Sequence, residues 1–269
     1  MNFNDLRLIF NRASAKAFNP KKLGVVSLVL AMCGLLVVFC RGLAINATEW
    51  VVMSLTFLPF FLCTGVLMSM GIFLIRVYHD EIKNKPVAYG DIMNKSWDVI
   101  IGASYFSIPF ILSYLVLWVL LGIFVMLGAI PFIGEVLSVL LSFAPFLLNV
   151  GSLVLCFLSL STLFLIAPVI ALNGPNRSMV TDTVLRRVKK DPFCNVVLAL
   201  IAIFPLTFFA AVMALAAIMT EQVCYVCEHA LQHVLQWFFI MIPFTALLSP
   251  AIVFYFNFAA ESHVLLKKD

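Results

Sequence analysis

The sequence predicts an all-α fold, a polytopic transmembrane helix bundle with six spans. Hydrophobic residues make up 64% of the 269 residues and charged residues only 11%, whereas a soluble domain is about half apolar and about a quarter charged. The charges are clustered, and the long stretches between them carry none. These stretches exceed strand lengths and do not alternate in polarity. Helices, whose backbone groups pair internally as lipid requires, are therefore expected.

Six apolar stretches are long enough to cross a hydrocarbon core of about 30 Å, which needs about 20 helical residues. The first stretch, 18 residues long, exceeds the apolar part of a signal peptide, about 7–15 residues, and is expected to remain as an uncleaved helix. We expect residues 1–269 to form a single integral membrane domain. The predicted spans are 23–40, 50–75, 99–119, 152–172, 193–220 and 235–260.

The distribution of basic residues predicts the orientation. With six spans, sixteen of the seventeen Lys and Arg residues fall on one side of the membrane, and Arg41 alone falls on the other. Because cytoplasmic loops carry the excess of Lys and Arg, both termini are expected in the cytoplasm. A bacterial inner membrane is the expected location.

Short basic segments precede three of the spans, and each has an amphipathic pattern. The first, residues 1–22, places Leu6, Phe10 and Ala13 at helical spacing. Apolar stripes flanked by basic residues are typical of helices in the membrane interface, and anionic lipid attracts each such cation by about 1 kcal/mol. The alternative is that these cations only determine topology. The residues predicted to contact lipid head groups are Arg7, Arg12, Lys16, Arg186, Arg187, Lys189 and Lys190.

The region between the third and fourth spans carries more apolar residues than two spans need. Residues 120–151 are too few for two further spans of about 20 residues each, and a single extra span would invert the topology. We expect an extra apolar segment on the outer side, as helix extensions, an interfacial hairpin or a re-entrant loop. A re-entrant loop would carry Glu135 into the membrane, where carboxylates are usually functional; otherwise Glu135 is solvated at the interface.

Small and polar residues recur every three or four positions along the predicted fourth span. Small residues permit close helix approach, and hydroxyls and amides hydrogen-bond across the contact. The seam indicates packing or a polar pathway for an uncharged solute centred on Asn149. Its members include Ser138, Ser142, Asn149, Ser152 and Ser159.

Two cysteines and two histidines lie close together before the sixth span. Cys224 and Cys227 form a C-x-x-C pair, and His229 and His233 are four residues apart. Thiolates and imidazoles are zinc ligands, and a C-x-x-C pair also forms redox disulfides. The group is therefore a candidate for a structural disulfide, a zinc site or a redox site.

The sequence contains no glycine-rich phosphate loop, no H-E-x-x-H and no G-x-S-x-G motif. No cofactor other than zinc, and no nucleic-acid partner, is expected. We expect a non-enzymatic multi-pass membrane protein that acts through membrane lipids, a membrane-protein partner or a second copy of itself. A permease or channel subunit for a neutral or hydrophobic solute is the first alternative. A thiol- or metal-dependent membrane enzyme is the second.

Overall fold

The computed structural model describes residues 3–45, 47–85, 88–128, 143–174, 177–219 and 230–268. Within these ranges the chain forms helices and no strand, which confirms the all-α prediction. A 3-10 turn at Tyr105–Ser107 joins the fourth and fifth helices. The α-helices are α1 Phe3–Ala15, α2 Pro20–Ala44, α3 Glu49–Ile82, α4 Tyr89–Ser104, α5 Ile108–Gly128, α6 Ala144–Asn173, α7 Arg177–Lys190, α8 Pro192–Met219 and α9 Ala230–Lys268.

Six segments of the described chain are long and apolar enough to cross a membrane, as predicted. They are α2, α3, α4 with α5, α6, α8 and α9. Proline and a capping residue set the start of α2, where the Asn19 side chain accepts a hydrogen bond from the backbone N–H of Lys21 and Pro20 occupies the first turn. Pro192 begins α8 in the same way, because proline has no N–H that needs a partner there.

The third span contains a local break in its helix. Pro109 cannot donate to the carbonyl of Tyr105 four residues earlier, and the chain takes the tighter 3-10 form over Tyr105–Ser107. Beyond the break, α5 continues to Gly128, and α6 begins at Ala144. The predicted re-entrant segment falls on residues 129–142, outside the described residues, and stays a prediction.

The order of elements repeats three times along the described chain, with a short helix followed by two long ones. The short helices α1, α4 and α7 lie at the end of the bundle where α3 and α6 finish, here called the basic end. The opposite end, where α3 and α6 begin, is called the far end. The predicted placement of these short helices in the membrane interface stays a prediction.

The C-terminal half of α9 is the centre of the packing. Every residue from 251 to 260 is buried, and α9 contacts α1, α2, α3, α6 and α8. Two glycines allow the closest approaches, since a Cβ on Gly71 would lie 2.1 Å from Phe256 Cε1 and one on Gly34 2.1 Å from Met241 Sδ. The core therefore lies towards the basic end.

Apolar side chains towards the far end are widely exposed. Met126 near the end of α5 is 74% exposed, and Met219 at the end of α8 is 77% exposed. Large apolar side chains on the outside of a bundle match the hydrocarbon of a membrane, which spans about 30 Å. Membrane-spanning helices with these exposed faces are consistent with an integral multi-pass protein.

The apolar face of α1 contacts protein. Ile9, Ala13 and Ala17 are buried, the Phe10 ring meets Phe254 of α9 edge to face at 5.1 Å, and Asn257 Nδ2 donates to Ala13 O at 3.3 Å. Of the stripe read from the sequence, Ala13 and Ala17 face the bundle while Phe10 is exposed at its edge. The stripe is thus used for packing on α9.

Candidate functional site

The polar seam of α6 lies at the contact with α3. Ser152 and Ser159 are buried, and their hydroxyls donate to backbone carbonyls of the preceding turn at 2.9 Å and 2.8 Å. Asn149 is half-buried, with its Nδ2 4.0 Å from Met53 Sδ on α3. The three described members of the seam thus lie on one side of α6, and its role in packing or as a pathway stays a prediction.

A small cleft of about 20 Å³, room for about one water molecule, lies between α3, α5 and α6 near the far end. We call it the Asn149 cleft. Its apolar walls surround a small number of hydrogen-bonding groups. The residues that define it include Met53, Ser54, Phe57, Leu121, Asn149 and Ser152.

A second, smaller cleft of about 10 Å³ lies deeper along the same interface. We call it the Ser159 cleft. Four hydroxyl side chains from three elements converge on it, while Met68 and Phe110 supply apolar walls. Ser159 is ten residues beyond Asn149, so at 1.5 Å per residue the two clefts are about 15 Å apart along α6. The hydroxyl residues are Thr64, Ser107, Ser159 and Thr162.

An aromatic pair lies beside the Asn149 cleft, which Tyr114 helps to line. Phe61 of α3 and Tyr114 of α5 stack with ring centroids 4.8 Å apart and planes inclined by 30°. Phe61 is 0% exposed and Tyr114 3% exposed. The Tyr114 hydroxyl donates a short hydrogen bond to Ser54 O, which joins the ring of α5 to the backbone of α3. No periodic pattern in the sequence indicates this pair.

A buried ion pair links α2 to α3 at the basic end. Lys22 Nζ lies 2.6 Å from Glu81 Oε2, and the Lys22 side chain is fully buried. Asn19 Nδ2 donates to the other oxygen, Oε1, at 3.1 Å, and the ammonium lies 5.2 Å from the centre of the Tyr78 ring. Tyr78 in turn donates to Glu261 Oε1 on α9 at 2.8 Å. The ion pair, the two hydrogen bonds and the contact between the ammonium and the Tyr78 ring thus tie α2, α3 and α9 together.

Arg76 braces the basic end of the α3–α6 interface. Its Nε donates to Ala171 O of α6 at 3.0 Å, and its NH1 donates to the buried Ser96 hydroxyl of α4. Lys22 and Arg76 are among the sixteen basic residues that the predicted topology places on one side of the membrane. In the structure both side chains point inward, towards partners on neighbouring helices.

Arg187 also points into the protein. Its Nε donates to Asn195 Oδ1 at 2.9 Å, and its NH1 lies 3.3 Å from His263 Nδ1. Burial lowers the pKa of Arg187 to about 10, so the guanidinium stays protonated at neutral pH. Asn195 Nδ2 donates back to Arg187 O at 3.0 Å and Asp191 O at 2.9 Å, and so closes the end of α7 against α8.

The remaining residues of the predicted lipid-contacting set are exposed. They project from α1 and α7, whose buried residues, Ala13 and Val180 among them, pack against the bundle. Arg187 is the one member of the set that faces inward. The exposed members are Arg7, Arg12, Lys16, Arg186, Lys189 and Lys190.

Other predicted site residues lie outside the described residues. Among the residues that the structure describes, no three His, Cys, Asp or Glu side chains come together as metal ligands. His233 belongs to α9 by its backbone, but its side chain falls outside the description. The zinc, disulfide and re-entrant hypotheses remain predictions. Their residues outside the described ranges are Glu135, Ser138, Ser142, Cys224, Cys227 and His229.

Sequence patterns do not indicate the partners that tie the helices together. Glu81, Tyr78 and Glu261 stand close to the ends of apolar stretches, where a charge is ordinarily solvated. A charge pattern along one helix cannot indicate which other helix supplies the partner, since that depends on the packing.

Comparison of the chain with protein-family models, curated proteins and solved structures finds no match.

Proposed function

We propose that this chain is a non-enzymatic multi-pass membrane protein whose basic end binds the anionic head groups of the cytoplasmic leaflet. The observation that supports this best is the exposure of six cations on α1, on the turn that follows it and on α7, namely Arg7, Arg12, Lys16, Arg186, Lys189 and Lys190. In this proposal both termini are cytoplasmic, because basic residues concentrate on that side of membrane proteins.

The packing of α1 and α7 bears on how these cations are presented. Ala13 of α1 and Val180 of α7 are buried in the bundle, so neither helix needs to insert its buried face into lipid. The basic side chains project from helices fixed against the protein. Each contributes about 1 kcal/mol near an anionic surface, and their fixed positions reduce the ordering cost of binding.

Lipid retention by the purified protein tests the proposal. Protein is mixed with equal amounts of dioleoyl phosphatidylcholine and dioleoyl phosphatidylglycerol in detergent, and the lipid that stays bound after gel filtration is quantified by mass spectrometry. The wild-type chain should retain an excess of phosphatidylglycerol. Neutralising α1 with R7Q/R12Q/K16Q, or α7 with R186Q/K189Q/K190Q, should reduce that excess at least twofold.

A matched control removes the same charge elsewhere at the basic end. Lys83, Lys85 and Lys95 are exposed but do not belong to α1 or α7. The triple variant K83Q/K85Q/K95Q should therefore lose less of the excess of phosphatidylglycerol than either of the other two triple variants. Equal retention of the two lipids by the wild type, or an equal loss in the control, would contradict the proposal.

A second candidate function is a permease or channel subunit for a neutral solute. The Asn149 cleft favours it, because the residue at the centre of the predicted pathway lines that cleft with Ser54 and Ser152. Urea uptake by proteoliposomes tests this candidate. A rate equal to that of protein-free vesicles would contradict it.

A further inference from the structure

Two cysteine thiols of neighbouring helices meet within the membrane-spanning part of the bundle. Cys63 Sγ of α3 donates to the backbone oxygen of Cys33 on α2 at 3.8 Å, and the two thiols are within hydrogen-bonding distance of each other. Both are free thiols in the structure. We propose that Cys33 and Cys63 form a redox-active pair that reduces a lipid hydroperoxide and becomes a disulfide. This reaction goes beyond head-group binding at the basic end and does not depend on it.

The pair lies deep in the span. At 1.5 Å per residue, Cys33 is about 20 Å from the start of α2 at Pro20 and about 16 Å from its end at Ala44. The hydrocarbon core of a bilayer is about 30 Å thick, so the thiols lie near its middle. A water-soluble oxidant has to leave water to reach them. A lipid hydroperoxide, which carries its O–O bond on an acyl chain, is already dissolved in the hydrocarbon.

The two thiols differ in their access to lipid. Cys33 is half-buried, and its neighbours along α2 are Met32, which is 66% exposed, and the buried Gly34. Cys63 is only 6% exposed. An acyl-chain hydroperoxide therefore reaches Cys33 first, and Cys63 is the second thiol. Redox-active cysteines commonly have this arrangement, in which an accessible thiol reacts first and a resolving thiol lies next to it.

The reaction has two steps, which together remove two electrons from the sulfur atoms and add them to the O–O bond. First, the Cys33 sulfur attacks the terminal oxygen of the hydroperoxide, the O–O bond breaks, and the thiol proton passes to the leaving alkoxide. Cys33 becomes a sulfenic acid and the lipid an alcohol. The Cys63 sulfur then attacks the Cys33 sulfur, the S–O bond breaks, and the departing hydroxide takes the Cys63 proton and leaves as water.

Every stable species in this sequence is uncharged. A thiol, a sulfenic acid and a disulfide therefore avoid the penalty that a charge carries in the middle of a bilayer. Negative charge develops on the Cys33 sulfur only as its proton leaves, and the Cys63 S–H is placed to donate a hydrogen bond to that sulfur. The product joins α2 to α3, which already pack on each other.

Cys40 is a competing partner for Cys63, because its thiol is near enough to act on that of Cys63 electrostatically. It lies two turns beyond Cys33 on α2, about 10 Å further along the helix. A disulfide needs Cβ atoms about 3.5–4.5 Å apart, so Cys63 can pair with only one of the two. The hydrogen bond from Cys63 Sγ to the backbone of Cys33 assigns Cys33 as the partner.

Oxidation of the purified chain in dioleoyl phosphatidylcholine vesicles tests the proposal. Linoleic acid hydroperoxide is added, free thiols are blocked with N-ethylmaleimide in SDS, and disulfide-linked peptides are identified by mass spectrometry. A Cys33–Cys63 disulfide should form. The hydroxy acid produced in excess of that made by C33S/C63S should equal one molecule for each such disulfide. Hydrogen peroxide at the same concentration should oxidise the pair at least tenfold more slowly.

Single variants assign the two roles. Cys63→Ser should stop at the sulfenic acid on Cys33, which dimedone captures, whereas Cys33→Ser should leave Cys63 as a free thiol. Cys156→Ser removes another half-buried thiol within a span. It is the matched control, and it should form the Cys33–Cys63 disulfide as fast as the wild type does.

Three results would overturn the proposal. They are the absence of a Cys33–Cys63 disulfide in the wild type after treatment with linoleic acid hydroperoxide, a disulfide between Cys63 and Cys40 in its place, and oxidation by hydrogen peroxide at a comparable rate. All three are measured on the wild type, so they are decisive even if a variant does not fold. Failure of head-group binding would change none of them.

Discussion

Lys22 of α2 and Glu81 of α3 form an ion pair of 2.6 Å, 59 positions apart in the sequence, with the lysine side chain fully buried. Their helices run in opposite directions, so the pair joins the beginning of one to the end of the other. Tyr78 lies under the ammonium and connects the pair to Glu261 of α9. Removal of one partner should therefore affect the whole basic end.

Lys22→Met should lower the free energy of unfolding by about 3–5 kcal/mol, because it leaves the Glu81 carboxylate buried without its counter-charge. The double variant K22M/E81M should recover most of this loss, since two apolar side chains of similar volume need no partner. Unfolding in detergent, followed by intrinsic fluorescence, measures both. Lys21→Met, at the exposed neighbouring position, is the control and should change stability by less than about 0.5 kcal/mol.

Gly71→Ala should destabilise the chain by about 1–3 kcal/mol, because overpacking forces buried groups to move. The new Cβ would lie 2.1 Å from Cε1 of the buried Phe256 ring. Gly24→Ala on α2 is the control, since a Cβ there meets nothing within 4 Å and alanine gains up to about 1 kcal/mol in helix propensity. In thermal unfolding, the melting temperature of Gly24→Ala should equal or exceed that of the wild type. Equal losses in the two variants would contradict the close approach of α3 and α9.

Asn195→Leu should cost about 1–3 kcal/mol, because it leaves the buried Arg187 Nε without its acceptor. Asn94→Leu, on the exposed side of α4, is the control and should be nearly neutral. The pKa of Arg187 is lowered to about 10 by burial. Only above that pH does the unfolded chain bind more protons at this residue than the folded chain does. Arg187 therefore makes the free energy of unfolding increase with pH only above about pH 10. The loss in Asn195→Leu should be constant between about pH 6 and pH 8.

The proposed orientation places Lys85 and Lys190 in the same compartment, opposite Thr48. A membrane-impermeant maleimide applied to intact cells should label Thr48→Cys. It should label Lys85→Cys and Lys190→Cys only after permeabilisation. All three positions are exposed, so differences in reactivity report the compartment. Labelling of Lys85 and Lys190 from opposite sides would contradict a topology with six spans.

The sequence predicted the parts of this protein that depend on local composition. Charge-free stretches gave the six long helices, because lipid accepts apolar segments whose backbone groups pair within the helix. The serine and asparagine periodicity on α6 identified residues that the structure places at its contact with α3. Pro20 and Pro192 marked helix starts for a reason that holds in any fold.

Other features were beyond the reach of sequence patterns. Arg187 was assigned to a lipid-facing surface with its basic neighbours, yet it is turned towards Asn195 and His263. The sequence of α7 shows that several residues are basic, but whether each basic side chain is buried or exposed depends on which side of α7 contacts α8 and α9. The same reasoning applies to Lys22 and Arg76, whose partners lie on other helices.

The sequence by itself determined that the chain forms long apolar helices with most of its cations in short segments between them, because these properties follow from residue type and order. Only the tertiary structure decided which cations are buried, that the last helix is the centre of the core, and that the rings of Phe61 and Tyr114 stack on each other. Such relationships depend on the angle and rotation of one helix against another, and those are set by side-chain packing across the whole bundle.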